Sequence, residues 1–88
     1  MKAIITVIGK DTVGILGKVS TACSEVNSNI LEVTQSVLQD MFAMVMLVEI
    51  DKSLGLDTLK NKLDLVAEDT KTKIHVMHED IFNSMHKI

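Results

Sequence analysis

Ile4-Ile5-Thr6-Val7-Ile8-Gly9-Lys10-Asp11-Thr12-Val13-Gly14-Ile15-Leu16-Gly17 is the stretch that decides how this chain folds. It passes from a β-branched run through a glycine-bounded turn into a helical pattern. Lys2 to Ile8 is apolar at both odd and even positions, which predicts a central strand covered on both faces. From Thr12 onward the period changes. Val13, Leu16, Val19, Ala22, Cys23 and Val26 recur at helical spacing, opposite Lys18, Thr21, Ser24, Glu25 and Ser28. Thr12 is the expected N-cap, with Val13 opening the helix. Asn27 and Asn29 stand where the chain leaves it, at positions suited to left-handed backbone angles.

Working outward, Ile30 to Leu38 alternates Leu31, Val33 and Val37 with Glu32, Thr34 and Ser36, the pattern of a half-exposed strand. Gln39-Asp40 can turn. Met41 to Ile50 is nearly all apolar and predicts a second central strand. Asp51 to Gly55 is a polar connection with Ser53 as a candidate cap. Leu56, Leu59, Leu63, Val66 and Ala67 then form a second helical stripe. Lys73 to Glu79 predicts a short fourth strand, and Ile81, Phe82, Met85 and Ile88 predict a short tail helix over Asp80 to Ile88.

The order is therefore βαββαβ with a tail helix, an α+β fold in one domain spanning residues 1–88. A right-handed crossover makes strands one and two parallel, and the hairpin makes strand three antiparallel to two. Placing the two most apolar strands at the centre gives a ferredoxin-like antiparallel sheet of order 4-1-3-2, with two helices on one face. The more polar strands two and four become edges, where Lys73, Glu32 and Gln35 discourage promiscuous pairing. The other face stays apolar, and either a second subunit or the tail helix must cover it.

Composition narrows the function. An 88-residue chain buries only roughly 60–65% of its unfolded surface. Yet 47% of it is hydrophobic, more than one small core needs, so a homo-oligomer (a dimer or larger) is expected. Net charge is −3, and all nine basic residues are lysines standing singly or nearly so. Without arginine there is no bidentate fork for phosphates or guanine edges. Phe42 is the only aromatic residue in any expected strand, too few for base stacking. Nucleic acid is not an expected partner, and no window approaches a membrane-spanning helix. The apolar run after Lys2 is too short for a signal peptide, and the lone Cys23 suits a reducing compartment, so a cytoplasmic location is expected.

Candidate chemistry concentrates in the Gly9–Gly17 loop. Gly9 can end the strand at positive φ, and Gly14 in the first helical turn lets a ligand come close. The N–H groups of Val13, Gly14 and Ile15 would face an incoming carboxylate at the positive helix end. The alternative is that these glycines only let helix one pack tightly on strand one. Asn29 can accept from an ammonium and donate to a carboxylate at once, or merely ease the chain out of the helix. Asp11 can pair with a ligand ammonium or cap the turn. His75 and His78 point to opposite faces of a strand, so they do not share an ion, and no metal or other cofactor is expected. Cys23 lies in the inner helical stripe as a structural thiol. Met41, Met44, Met46 and Met77 read as core or interface filler.

The run Ile5-Thr6-Val7-Ile8-Gly9-Lys10-Asp11-Thr12-Val13-Gly14-Ile15-Leu16-Gly17, with Asn27-Ser28-Asn29-Ile30, Thr34-Gln35-Ser36 and Met41 to Ile50, resembles the ACT domain over essentially the whole chain. It is similar to single-domain members of that family and to half of the glycine-cleavage-system transcriptional repressor. The resemblance implies a βαββαβ regulatory module that binds an amino acid or related effector and is not an enzyme. It implies an effector site in which Asp11, Thr12, Val13, Gly14, Ile15 and Leu16 supply the loop. Asn29 and Ile30 then form the facing wall, often completed by a neighbouring subunit. Val13 stands where the family often has proline and leaves one more N–H available. An acylphosphatase-like hydrolase would want an arginine, which this chain lacks. A scaffold that docks onto a regulated protein without any small ligand is the competing expectation.

Overall fold

The computed structural model describes residues 1–10 and 14–85. Along the chain run β1 (Lys2–Lys10), α1 (Ile15–Glu25), β2 (Asn29–Leu38), β3 (Met41–Glu49), α2 (Gly55–Thr70), β4 (Lys73–His78) and α3 (Glu79–Met85). The four strands form one antiparallel sheet in the order β2-β3-β1-β4, the arrangement expected from the sequence.

Register fixes the two faces. Ala3, Ile5 and Val7 of β1 lie level with Val48, Met46 and Met44 of β3, and all six are buried beneath the helices. Ile15, Val19, Ala22 and Cys23 of α1 and Leu59 and Leu63 of α2 close this core from above. The α1 stripe begins at Ile15 and recurs at four, seven and eight residues, one face of a helix. On the opposite face of the sheet Ile8, Met41 and Val45 remain exposed. Ile4, only 6% exposed, is buried on that side without belonging to the helix-side cluster. The tail helix α3 packs against β1 and β4, and Ile8, Met41 and Val45 stay bare.

Several boundaries differ from the sequence reading, each for a local reason. Gly9 does not end β1 at positive φ; it pairs with Phe42 and the strand runs on to Lys10. A Cβ on Gly9 would lie 2.7 Å from Thr72 Cγ2, so this glycine answers to close approach, not to a turn. Helix α1 starts at Ile15, two residues later than expected, because Gly14 at φ 89° occupies the N-cap position assigned to Thr12. Ser53 does not cap α2 either; Leu54 holds that position, and Ser53 donates its N–H and hydroxyl to Asp51 Oδ1, both at 3.0 Å. Those two hydrogen bonds hold the Asp51 carboxyl below the usual carboxylate range.

In β2 a bulge between Ile30 and Glu32 leaves Leu31 as the extra residue. Beyond it, Val33 and Val37 pair with Met46 and Phe42 and so fall on the helix side. The helix layer does not reach over them: Val33 is 37% and Val37 53% exposed. Asn27 and Gln39 take the positive φ values that their turns require, while Asn29 begins β2 with no such angle. Glu79 opens α3 instead of ending β4.

Candidate functional site

Gly14 carries a left-handed backbone into α1, and its carbonyl accepts the Lys18 N–H at 3.0 Å. A glycine N-cap has no side chain to offer the first turn, and among the described residues none caps it. No acidic residue stands in that turn. The N–H groups of Ile15, Leu16 and Gly17 therefore meet the positive end of the helix with no acceptor among the described residues. This moves the donor set by two residues from the expected Val13, Gly14 and Ile15. Asp11, Thr12 and Val13 lie outside the described residues.

Asn29 and Ile30 stand at the other end of α1. The helix spans eleven residues, about 16 Å of rise, and separates them from Gly14. The sheet says the same. Gly9 and Lys10 are level with Phe42 and Met41, and through β3 with Val37 and Leu38, whereas Asn29 is level with Glu49 and Lys2. One copy of this chain thus carries the two expected halves of the site at opposite ends of a strand about 30 Å long. It does not bring them together.

Each end has its own hollow. At the α1–β2 corner, Ser20, Ser24, Asn27, Ser28, Asn29 and Ile30 line a polar hollow of about 460 Å³. Ser28 is only 8% exposed, and its Oγ has no hydrogen-bond partner among the described residues. A buried hydroxyl without a partner is an acceptor and donor left open. The sequence reading missed Ser20, Ser24 and Ser28, although three serines on one helix exit, at spacings of four, were visible there. At the opposite end, Ile8, Gly9, Met41 and Thr72 line a hollow of about 390 Å³ that is rimmed by Lys10, Lys71 and Lys73.

The remaining candidates behave structurally. Cys23 is fully buried, and desolvation pushes its thiol up to about 11, where it is neither nucleophile nor ligand at neutral pH. Its carbonyl instead receives the Val26 and Ser28 N–H groups that end α1. His75 pairs with Thr6 and His78 with Ala3, which puts them on opposite faces. The N–H of Asp80 donates to His78 Nδ1 at 3.0 Å. Met44 and Met46 are core, while Met41 is exposed on the open face. No helix among the described residues is long and apolar enough to cross a membrane.

Residues 2–77 match the family model for the ACT domain. A UPF0237 protein of Listeria monocytogenes is 43% identical over 89 residues, covering all of both chains. Among solved structures, an ACT domain protein from Streptococcus pneumoniae is 36% identical and superposes with a TM-score of 0.82 over 93% of each chain. A protein assigned as a glycine cleavage system transcriptional repressor superposes at 0.78 with 20% identity, this chain spanning 47% of it, which shows the shared fold. Sheet order, the family-model match over residues 2–77 and 43% identity along the whole length of a relative agree: this chain belongs to the ACT domain family of small regulatory modules.

Proposed function

We propose that the chain is a regulatory module whose effector, an amino acid or related metabolite, binds across a seam between two copies. The observation that carries this is the separation of the half-sites together with the free edge of β2. That edge is ten residues long and exposed from Leu31 to Val37, and beyond the bulge and Glu32 near its start it carries neither charge nor proline. Such an edge is a template for a second strand. Pairing β2 antiparallel with β2 of a second copy sets Asn29 of one chain beside the Leu38 end of the other. That is the end where Gly14 and the start of α1 stand. The carboxylate would then rest on the N–H groups of Ile15, Leu16 and Gly17, helped by the helix dipole. Asn29 and Ser28 of the second copy would take the ammonium. Asp11, Thr12 and Val13 complete the loop in this reading, and Ile30 packs against the ligand's carbon atoms.

Binding at a seam couples occupancy to association. A ligand that favours one arrangement shifts the equilibrium by its difference in affinity, typically about 1–3 kcal/mol. The reporting surface would be a regulated protein that distinguishes the two states. The direct test is isothermal titration with the standard amino acids, with sedimentation in parallel. Heat from one or a few of them, accompanied by a change in association, supports the reading. No heat and no shift in thermal midpoint with any of them refutes it. The lysine pair Val33→Lys and Val37→Lys blunts the edge and should abolish both heat and edge dimer. Ligand-independent docking onto a regulated protein is the second reading. Gly14→Val separates the two: it distorts the amide cradle and should remove effector binding, while docking through another surface persists.

A further inference from the structure

The outer surface of the helix layer holds a hollow of about 380 Å³ between α1 and α2, away from both ends of the sheet. Gly17, Thr21 and Ala22 of α1 make one side of it, and Leu65 and Val66 of α2 the other. Small residues thus face a large one. A Cβ placed on Gly17 would meet nothing within 4 Å. The Thr21 hydroxyl donates to the Gly17 carbonyl at 2.8 Å, so it leaves no polar demand in the hollow. Leu65 stands beside the gap 65% exposed, although it belongs to a helix with a well-filled buried stripe.

The charges around it are arranged in opposition. Lys18 Nζ lies 2.7 Å from Asp69 Oδ2, and Lys62 Nζ lies 3.0 Å from Glu25 Oε1. Each helix therefore carries a lysine and, seven residues later, an acid. Because the helices run antiparallel, each lysine faces the other helix's acid. Now rotate a second copy by a half-turn about an axis in this surface, parallel to the helices and midway between them. That operation lays α2 of the copy over α1 at the same level. Asp69 of the copy comes over Lys18, and Lys62 of the copy over Glu25. Leu65 of the copy comes over the Thr21 side of the hollow. Every charge meets its opposite and the knob meets the gap, twice over by symmetry.

We propose that this helix face is a second self-association surface, occupied by another copy of the same chain and distinct from the β2 edge. With both contacts made, two two-fold axes build a closed assembly of four chains or a longer stack. The helix contact needs no effector, so it would hold pairs of seam sites in one body.

Sedimentation of the full chain tests it. The native chain should exceed the dimer mass, Leu65→Glu should fall to the dimer mass, and the Val33→Lys, Val37→Lys variant should fall to it too. The triple variant should be monomeric. Leu65 is exposed, so its substitution leaves the fold intact, with far-UV circular dichroism as the control. Charge variants then separate contacts between chains from contacts within one. Lys18→Glu and Asp69→Lys alone should each lose the helix contact. Mixed in equal amounts they should regain it. The acid introduced in one chain then meets the lysine introduced in the other, and the native Lys18 and Asp69 that remain also meet across the contact. The pair inside each chain stays broken. A Leu65→Glu mass equal to that of the native chain, or a mixture no heavier than its components, overturns the proposal. A failure to bind amino acids would leave these masses unchanged, so the two readings fail separately.

Discussion

Replacing Gly9 by alanine tests the close approach of β1 to Thr72 just beyond α2. The new Cβ would sit 2.7 Å from Thr72 Cγ2, 3.2 Å from Thr72 Cβ and 3.3 Å from Thr72 Cα. Thr72 cannot swing clear. It follows Lys71, which holds φ 56° at the end of α2, its N–H donates to the Ala67 carbonyl at 3.0 Å, and its hydroxyl shares a 2.8 Å hydrogen bond with Thr70. Overpacking of this kind costs about 1–3 kcal/mol. Alanine recovers about 0.5–1 kcal/mol of the backbone entropy that glycine loses in a strand. The net loss centres on about 1 kcal/mol, or a fall of roughly 4–8 °C in thermal midpoint for a domain this size. Thr72→Ser removes Cγ2 while keeping the hydroxyl, so the Gly9→Ala, Thr72→Ser double variant should regain most of the loss. Differential scanning calorimetry of the four members of this cycle measures the coupling. A Gly9→Ala midpoint at or above that of the native chain, or a double variant no better than Gly9→Ala alone, would refute the close-approach explanation.

Ser28→Ala removes a buried hydroxyl that lacks a partner among the described residues, so it should raise the free chain's stability by about 1 kcal/mol in urea unfolding while weakening effector binding. Loss of stability instead would mean the hydroxyl is satisfied internally. The Cys23 thiol, raised to about 11 from 9.0 by burial, should resist iodoacetamide at neutral pH and react only on unfolding. Because its folded value is the higher one, stability should be fully present below about pH 9 and decline as pH climbs toward about 11; a flat urea midpoint across that window would contradict this. Leu63→Ala, in the fully buried stripe of α2, should cost about 2–5 kcal/mol, whereas Asp64→Ala one position away should stay within about 0.5 kcal/mol.

What the sequence revealed tracks where one force dominates. β1 and β3 are apolar at both parities, and hydrophobic burial alone forces them to the middle of the sheet; the strand order follows. The helical stripes were legible for the same reason. Boundaries were less so, because they turn on single backbone angles and close contacts between distant residues. Gly14 looks the same in a sequence whether it sits inside a helix or caps it at φ 89°. Gly9 owes its identity to Thr72, at the far end of α2 and remote in the chain. The Leu31 bulge hides in a strand whose alternation it breaks. Of the candidate site, the two clusters were visible as motifs at the start and the exit of the expected helix, but only the fold shows that one copy keeps them a helix length apart. The paired lysine–acid spacing of seven in both helices was readable in advance, and only the antiparallel packing gives it meaning.

The glycine entry to α1 has an implication for specificity. Main-chain amides contact the atoms that every α-amino acid shares and are blind to what distinguishes one from another. In the proposed seam site, discrimination would then fall to the serine- and asparagine-lined corner of the second copy. Relatives with the same loop could answer to different metabolites. Transplanting only residues 20–30 between two of them should carry ligand preference along, with the loop untouched.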